Sequence, residues 1–237
     1  MDSLYSVILL TLFAGLAMPV GALLADFEKI KSTLLENELI HGITAFGGGA
    51  LLSAIALVLV PEGIEQFSPW SSVVLFLLGG IAFMLLDIQL SKSKTSMSQL
   101  VAMLADFIPE SLALGAAIAL GGSEAILLAV LIAMQNLPEG FNAFRELKNS
   151  SHYSSYKIIF YFFVLALCGP VSGAIAFIWL SEWPALIAGI MLFASGGILY
   201  AVFQDIAPKV VLEKHWAPPM GAVMGFALGL AGFMLSH

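Results

Sequence analysis

Residues 106–111 read Asp-Phe-Ile-Pro-Glu-Ser and residues 135–140 read Gln-Asn-Leu-Pro-Glu-Gly, each inside an apolar segment long enough to cross a membrane. In each motif a polar residue is followed by proline and then by glutamate, which comes four positions after the polar residue. The two apolar segments are joined by residues 121–123, Gly-Gly-Ser. Because this connection is so short, the two segments are predicted to form an antiparallel helical hairpin.

The polar side chains of both motifs are expected to converge on one point. Positions four apart are neighbours on a helix, so Asp106 shares a face with Glu110, and Gln135 shares one with Glu139. Counted from the turn, the two faces lie within about 3 Å of the same level, and Asn136 lies beside them. A carboxylate at the centre of a bilayer costs roughly 2.5–3.5 kcal/mol on insertion scales. Since no lysine or arginine lies at that depth, a bound cation is the obvious compensating partner.

Each motif also frees a backbone carbonyl. Pro109 cannot donate to the carbonyl of Ala105, and Pro138 cannot donate to that of Met134. A freed carbonyl is costly in lipid, so it must face protein, water or an ion. A simple kink would explain one such proline, but two prolines at matched depth, each beside a polar stripe, favour an ion site.

The composition is that of an integral membrane protein. The 237 residues are 60% hydrophobic and 11% charged, with a mean hydropathy of +0.99. A soluble domain carries about 25% charged residues. No basic stretch is dense enough to bind nucleic acid. The single cysteine, Cys168, excludes an internal disulfide, and the N-terminal apolar run lacks the basic flank of a signal peptide, which indicates a retained span.

Apolar stretches of about 20 residues predict eight membrane-spanning helices in a single transmembrane domain, residues 1–237. All nine lysines and arginines fall on one side of these spans, in the connections after spans one, three, five and seven. The positive-inside rule makes that side cytoplasmic and both termini extracytoplasmic, in a multi-pass protein of the plasma membrane or a prokaryotic inner membrane. The predicted spans are residues 4–24, 39–60, 70–90, 97–120, 123–143, 157–180, 184–206 and 219–236.

The chain also contains an internal repeat. Residues 46–54, followed by Pro61, align with residues 193–201, followed by Pro208, at a constant offset. Spans two and seven run in opposite directions, and inverted repeats of this kind are typical of secondary transporters. A shared Gly/Ala/Leu-rich composition is the alternative explanation. The predicted fold is an all-α 3+2+3 bundle, in which the hairpin of spans four and five sits between two inverted three-helix halves.

These motifs resemble the ZIP family of divalent-metal transporters, whose fourth and fifth helices each carry a His/Gln-x-x-Pro-Glu/Asp-Gly type motif and together form a binuclear metal site. The resemblance extends over the full chain, through the eight spans and the Pro61-Glu62 and Asp205-Ile-Ala-Pro208 ends of spans two and seven. It implies that a transport bundle containing the hairpin moves against a scaffold of other helices. The metal ligands that it implies are Asp106, Glu110, Gln135 and Glu139, with Asn136 at a flanking ligand position.

The chain departs from the family at Asp106, where many ZIP proteins have histidine. All four histidines lie outside the two motifs. Zinc favours histidine and cysteine, whereas carboxylate, amide and carbonyl oxygens suit Mg²⁺, Ca²⁺ or Mn²⁺, and Fe²⁺ less exclusively. The resemblance therefore implies a divalent cation such as Zn²⁺, Mn²⁺ or Fe²⁺ as the substrate, and the oxygen ligands put selectivity for zinc in doubt.

Other polar and small residues have more than one interpretation. Asn142 either lines the cytoplasmic exit or forms a satisfied interhelical amide, and Ser111 either supports the site or simply packs in its helix. Asp87 and Asp205 are interpreted as interfacial charges beside neighbouring lysines. A glycine face on span eight serves either packing within the chain or a homodimer.

The expected function is a ZIP-like secondary transporter that moves a divalent cation towards the cytoplasm by alternating access. A cation/proton exchanger, whose carboxylates titrate during the cycle, and a non-transporting metal sensor are the alternatives. An enzyme is not expected. No Gly-x-Gly-Asp context surrounds Asp87 or Asp106, and the chain has no Ser-His or His-Glu-x-x-His pairing.

Overall fold

A computed structural model describes residues 3–27, 33–93, 97–119, 121, 125–180, 182–210 and 216–236. Every regular element in these ranges is helical, which confirms the predicted all-α class. The elements are α1 (Leu4–Phe27), α2 (Thr33–Ala54), a π-helix (Ile55–Leu59), α3 (Val60–Ile64), α4 (Pro69–Ser93), α5 (Met97–Ala119), α6 (Ala125–Ser150), α7 (Ser155–Ala166), α8 (Cys168–Ile175), a π-helix (Ala176–Leu180), α9 (Pro184–Ala201), a π-helix (Val202–Ile206), a 3-10 helix (Ala207–Val210) and α10 (Ala217–Ser236).

Eight segments of the described chain are long and apolar enough to cross a membrane, as the sequence predicts. The most apolar windows of α4 and α10 are only 11% and 22% buried, so these two helices lie at the periphery with apolar side chains outward. A bilayer solvates such a surface and water does not. The eight segments are Leu4–Phe27, Ile40–Ile64, Pro69–Lys92, Leu100–Ala119, Ala125–Ser150, Ser155–Leu180, Pro184–Ile206 and Ala217–Leu235.

The predicted hairpin connects α5 to α6. Gly121 has a φ of +75° in this turn, a conformation that glycine adopts without strain, and its N–H donates to the carbonyl of Ile118 at 3.1 Å. Gly122 and Ser123 of the predicted turn lie outside the described residues. Helix α6 continues past the predicted end of its span at residue 143 as far as Ser150, because Phe144 and Leu147 give its last turns a buried apolar side.

The helices pack into two groups. The hairpin group consists of α1, α5, α6, α7 and α8. Helix α1 lies along α6, both α7 and α8 pack on α1, and α8 also packs on α5. The second group pairs α2 with α10 and α4 with α9, and α3 packs on α9. Within each group, backbones approach too closely for a Cβ. Gly21 meets the backbone of Leu137 between α1 and α6, and Gly49 meets that of Ala222 between α2 and α10.

The two groups also contact each other. Its most extensive part is the packing of α2 against α6. There, the glycine of α2 that faces α6 is Gly47, and a Cβ on it would lie 3.0 Å from Cγ of Pro138, a side-chain atom. At this glycine the two groups therefore meet through a side chain.

The glycine face of α10 is used inside the chain. A Cβ on Gly221 or Gly225 would collide with the carbonyl oxygens of Gly42 and Phe46, and a Cβ on Gly229 would collide with the side chain of Ser53. All three partners belong to α2. This packing matches the first of the two interpretations of the face.

The aligned repeat segments share their secondary structure. Helix α2 ends at Ala54 and is followed by the π-helix Ile55–Leu59, and α9 ends at Ala201 and is followed by the π-helix Val202–Ile206. The residue numbers differ by 147 in both the sequence alignment (193 minus 46) and the π-helices (202 minus 55). The local geometry of the two segments thus agrees with the alignment.

One end of the bundle carries Arg145, Lys148 and Lys157, and we call it the basic end. Nζ of Lys148 donates to Oγ of Ser155 at 3.1 Å, and that hydroxyl donates to Oδ1 of Asp26 at 2.6 Å. The C-terminal ends of α1 and α6 and the start of α7 therefore lie together. Other basic residues used to predict the orientation lie outside the described residues: Lys29, Lys31, Lys94 and Lys214.

Candidate cation site

A cavity of about 450 Å³ lies between the two helical groups. Its mouth includes the exposed residues Ser91, Glu146 and Ser150, at the ends of α4 and α6, so it opens at the basic end. Its inner end lies in the middle of the hairpin. Four of the five predicted ligand residues line it there: Asp106, Glu110, Gln135 and Glu139.

Glu110 and Gln135 are in direct contact across the hairpin. Glu110 is only 3% exposed and Gln135 only 5%. Nε2 of Gln135 donates to Oε2 of Glu110 at 3.0 Å and lies 3.3 Å from Oε1 of the same carboxylate. The structure thus brings the two motifs together at the level that residue counting from the turn predicts.

Two further carboxylates surround this pair. Asp106 and Glu139 are half-buried on the cavity wall, and each is close enough to Glu110 to interact with it electrostatically. Asp106 also interacts with Asp205 of the second group. The described residues that line the cavity include no lysine, arginine or histidine. The inner end of the cavity is therefore strongly negative when its carboxylates are ionised.

Asn136 occupies a different place from the other predicted ligands. It is fully buried, and of the five it is the one that does not line the described cavity wall. Its Nδ2 donates to the carbonyl of Ala14 on α1 at 3.0 Å, and its Oδ1 accepts from Nε2 of Gln135 at 2.6 Å. Asn136 is thus positioned behind Gln135, at the interface between α6 and α1.

The carboxylates are not gathered into a closed cage. Within the described ranges, no three carboxylate, imidazole or thiol side chains lie close enough together to hold a metal ion jointly. An ion at the inner end would be held by fewer carboxylates, by the amide oxygen of Gln135 and by water, or would draw Asp106 or Glu139 towards Glu110. Hard divalent cations readily keep several water ligands.

Thr44 of α2 is a cavity residue that the sequence analysis missed. Its Oγ1 accepts a hydrogen bond of 2.9 Å from Nδ2 of Asn142 on α6, and both residues line the cavity. Asn142 is therefore a satisfied interhelical amide, and it also lines the cavity. The sequence did contain a signal for this position. Thr44, Gly47 and Leu51 are three and four positions apart, so the hydroxyl of Thr44 shares a face of α2 with Gly47.

Asp87 and Asp205 occupy a position on the cavity wall that the sequence did not predict. Both line the cavity, and Asp87 accepts a hydrogen bond of 3.2 Å from the hydroxyl of Tyr200 on α9. Asp87 is therefore held towards a neighbouring helix and the cavity. Their interpretation as interfacial charges beside neighbouring lysines stays a prediction. Their position on the cavity wall could not be predicted, because distance from a helix end does not tell which way the helix is turned.

Ser111 lies away from the cavity. It is 1% exposed, and its Oγ has no hydrogen-bond partner among the residues that the structure describes. Its backbone is near Gly173 of α8, so this position faces the interior of the hairpin group. Its neighbour Glu110 points to the cavity because the two positions are about 100° apart around the helix.

Compared with models of known protein families and with curated proteins, the chain matches none.

Proposed function

We propose that this protein is a ZIP-like secondary transporter that moves a divalent metal cation across a cell membrane towards the cytoplasm by alternating access. The observation that carries the proposal is the position of Glu110. This carboxylate is almost fully buried in the middle of a membrane-type bundle, yet it forms the inner end of a cavity that opens at the basic end. Intramembrane carboxylates that line a cavity typically mark an ion pathway.

The charge balance of the cavity supports a cation as the substrate. Asp106, Glu110 and Glu139 surround its inner end, and no basic side chain lines its described wall. Clefts of one charge sign with low-dielectric walls concentrate ions of the opposite sign. A divalent cation would offset the cost of keeping these carboxylates ionised inside the bilayer.

The donor atoms support a hard or borderline cation. The inner end offers carboxylate and amide oxygens, and no histidine or cysteine lines the described cavity wall. Such donors suit Mn²⁺ well and Fe²⁺ less exclusively, whereas zinc sites usually include nitrogen or sulfur. We propose Mn²⁺ or Fe²⁺ as better substrates than Zn²⁺.

The packing supports movement of the two groups as bodies. Close backbone contacts at glycines join the helices inside each group, and the cavity lies between the groups. Beyond Glu110, the hairpin is apolar and tightly buried at Leu114, Ala117, Leu128 and Ile132. These residues close the cavity towards the end opposite its mouth. Displacement of one group against the other would open that side. The similar geometry of the repeat segments, one in α2 and one in α9, fits a 3+2+3 inverted arrangement.

Uptake into liposomes tests the proposal. Purified protein in liposomes that contain a metal-sensitive dye should admit Mn²⁺ faster than empty liposomes, and Glu110→Gln should abolish the difference. No uptake of Mn²⁺, Fe²⁺ or Zn²⁺ by folded wild-type protein would overturn the proposal in favour of a metal sensor. Uptake that requires an opposing pH gradient would indicate cation/proton exchange instead.

A further inference from the structure

We infer that Asn136 is a positioning residue, which fixes the amide of Gln135 so that its oxygen is presented to the cation while Asn136 itself does not bind the ion. The inference rests on the proposed function, since it names the part that one buried amide plays at the proposed site. Its basis is a chain of hydrogen bonds that runs from the backbone of α1 to Glu110.

This series of hydrogen bonds has three members. Nδ2 of Asn136 donates to the carbonyl of Ala14 at 3.0 Å, and Oδ1 of Asn136 accepts from Nε2 of Gln135 at 2.6 Å. The same Nε2 donates to Oε2 of Glu110 at 3.0 Å. All of these side chains are buried, and Asn136 is fully so. Since Asn136 is fully buried and does not line the described cavity wall, water does not compete for its bond to Ala14.

The chemistry of the amide group sets the orientation of each link. An amide has a donor NH₂ at one end and an acceptor oxygen at the other. A backbone carbonyl only accepts, so Asn136 must turn Nδ2 towards Ala14, which leaves Oδ1 for Gln135. Gln135 must in turn present Nε2, whose two hydrogens go to Asn136 and Glu110. The atom of Gln135 left for a cation is Oε1. A reversed amide would present NH₂ to the ion and repel it.

The anchor is well suited to this role because it cannot rotate or change protonation. Ala14 contributes a main-chain carbonyl of α1, and α1 is fitted to α6 so closely that a Cβ on Gly140 would collide with the backbone of Met18. All residues that form these hydrogen bonds belong to the hairpin group. The orientation of Gln135 would therefore be kept when the two groups move relative to each other.

A spectroscopic test separates a ligand from a positioning residue. In a Cys168→Ser background, Gln135→Cys and Asn136→Cys are each titrated with Co²⁺ in detergent. Thiolate bound to Co²⁺ gives a near-ultraviolet charge-transfer absorption, and thiolates are strong ligands for such metals. We expect the absorption with Gln135→Cys and not with Asn136→Cys. An absorption with Asn136→Cys would place this position in contact with the ion and overturn the inference.

A double-mutant cycle tests whether Asn136 affects Mn²⁺ binding through Gln135. Asn136→Ala should weaken Mn²⁺ binding roughly 10-fold, the lower range for loss of a group that orients a metal ligand. In a Gln135→Ala background, the same change should have almost no further effect, because the group that it positions is gone. Asn142→Ala is the matched control. This amide is also on α6, but it bonds Thr44, so its effect should be equal in both backgrounds.

The outcomes distinguish failure of the inference from failure of the proposed function. Equal losses of affinity from Asn136→Ala in both backgrounds, with folding confirmed by size-exclusion chromatography, would overturn the inference alone. Absence of Mn²⁺ binding by folded wild-type protein, together with absence of Co²⁺ absorption in Gln135→Cys, would overturn the proposed function and the inference with it.

Discussion

Nδ2 of Asn142 on α6 donates a hydrogen bond of 2.9 Å to Oγ1 of Thr44 on α2, and this bond joins the two helical groups across the wall of the cavity. Two further hydrogen bonds on the cavity wall lie inside one group, Glu110 with Gln135 in the hairpin group and Asp87 with Tyr200 in the second. A relative displacement of the groups would break the bond between Asn142 and Thr44.

Thr44→Val should therefore lower the population of the state that is open at the basic end. An interhelical hydrogen bond in a membrane protein is worth about 0.6 kcal/mol on average, which corresponds to a shift of roughly threefold in the equilibrium between states. In a Cys168→Ser background, a cysteine placed at Ala102 on the cavity wall should be labelled more slowly by a thiol reagent applied from the basic end.

Thr11→Val is the matched control for that change. The hydroxyl of Thr11 is buried and donates to the carbonyl of Val7 in its own helix at 2.7 Å, so its loss should not change the labelling rate. Equal labelling of wild type, Thr44→Val and Thr11→Val would show that the bond to Asn142 does not hold this state.

Depth in the cavity should decide the effect of removing a carboxylate. Glu139 and Glu146 both lie on α6 and line the cavity, but Glu139 is at its inner end and Glu146 is exposed at its mouth. Glu139→Gln should lower Mn²⁺ uptake by at least about tenfold, because it removes a charged oxygen donor from the proposed site. Glu146→Gln should lower it much less. Uptake in liposomes measures both, and equal effects would contradict a site at mid-depth.

The ion preference should change with the donor at position 106. Asp106→His replaces a carboxylate with an imidazole and removes one negative charge. The ratio of Zn²⁺ uptake to Mn²⁺ uptake in competition should therefore rise. Asp87→His makes the same replacement at an aspartate that is already bonded to Tyr200, and it should leave the ratio unchanged. An unchanged ratio in a folded and active Asp106→His variant would show that Asp106 does not bind the ion.

The connection between α6 and α7 should be cytoplasmic. Arg145, Lys148 and Lys157 lie at this end of the bundle, and the positive-inside rule assigns such an end to the cytoplasm. A reporter fused after residue 150 should be active in its cytoplasmic form, and reporters at both termini should be active in their extracytoplasmic form. The reverse pattern would mean that the cavity opens outwards.

The fit of α1 to α6 should be sensitive to a single methyl group. A Cβ on Gly140 would collide with the backbone of Met18, whereas a Cβ on Gly42 of α2 would meet nothing within 4 Å. Gly140→Ala should therefore cost about 1–3 kcal/mol, as overpacking of a tight interface does. Gly42→Ala should be neutral or stabilise by up to about 1 kcal/mol. Thermal unfolding in detergent measures both, and similar midpoints would contradict the close approach of the two helices.

The predictions that succeeded rest on local rules. A bilayer requires about 20 apolar residues per helical span, so the eight spans can be identified without knowledge of their neighbours. The level of Glu110 and Gln135 follows from the short turn at Gly121 and a fixed rise per residue. Their hydrogen bond could therefore be anticipated as a convergence of the two motifs, although its donor and acceptor could not.

The orientation of each helix about its own axis was decided by the tertiary structure. Span-forming helices such as α4 and α9 are apolar on nearly every side, so their sequences carry little information on which face meets a partner. That orientation places Thr44 opposite Asn142, turns Asp87 and Asp205 towards the cavity, and directs Asn136 away from it to Ala14. The sequence by itself determined the number of spans and the level of the polar motifs, because length and periodicity are local properties. The tertiary structure decided which polar groups touch, because close packing between helices far apart in the chain selects one rotation for each of them.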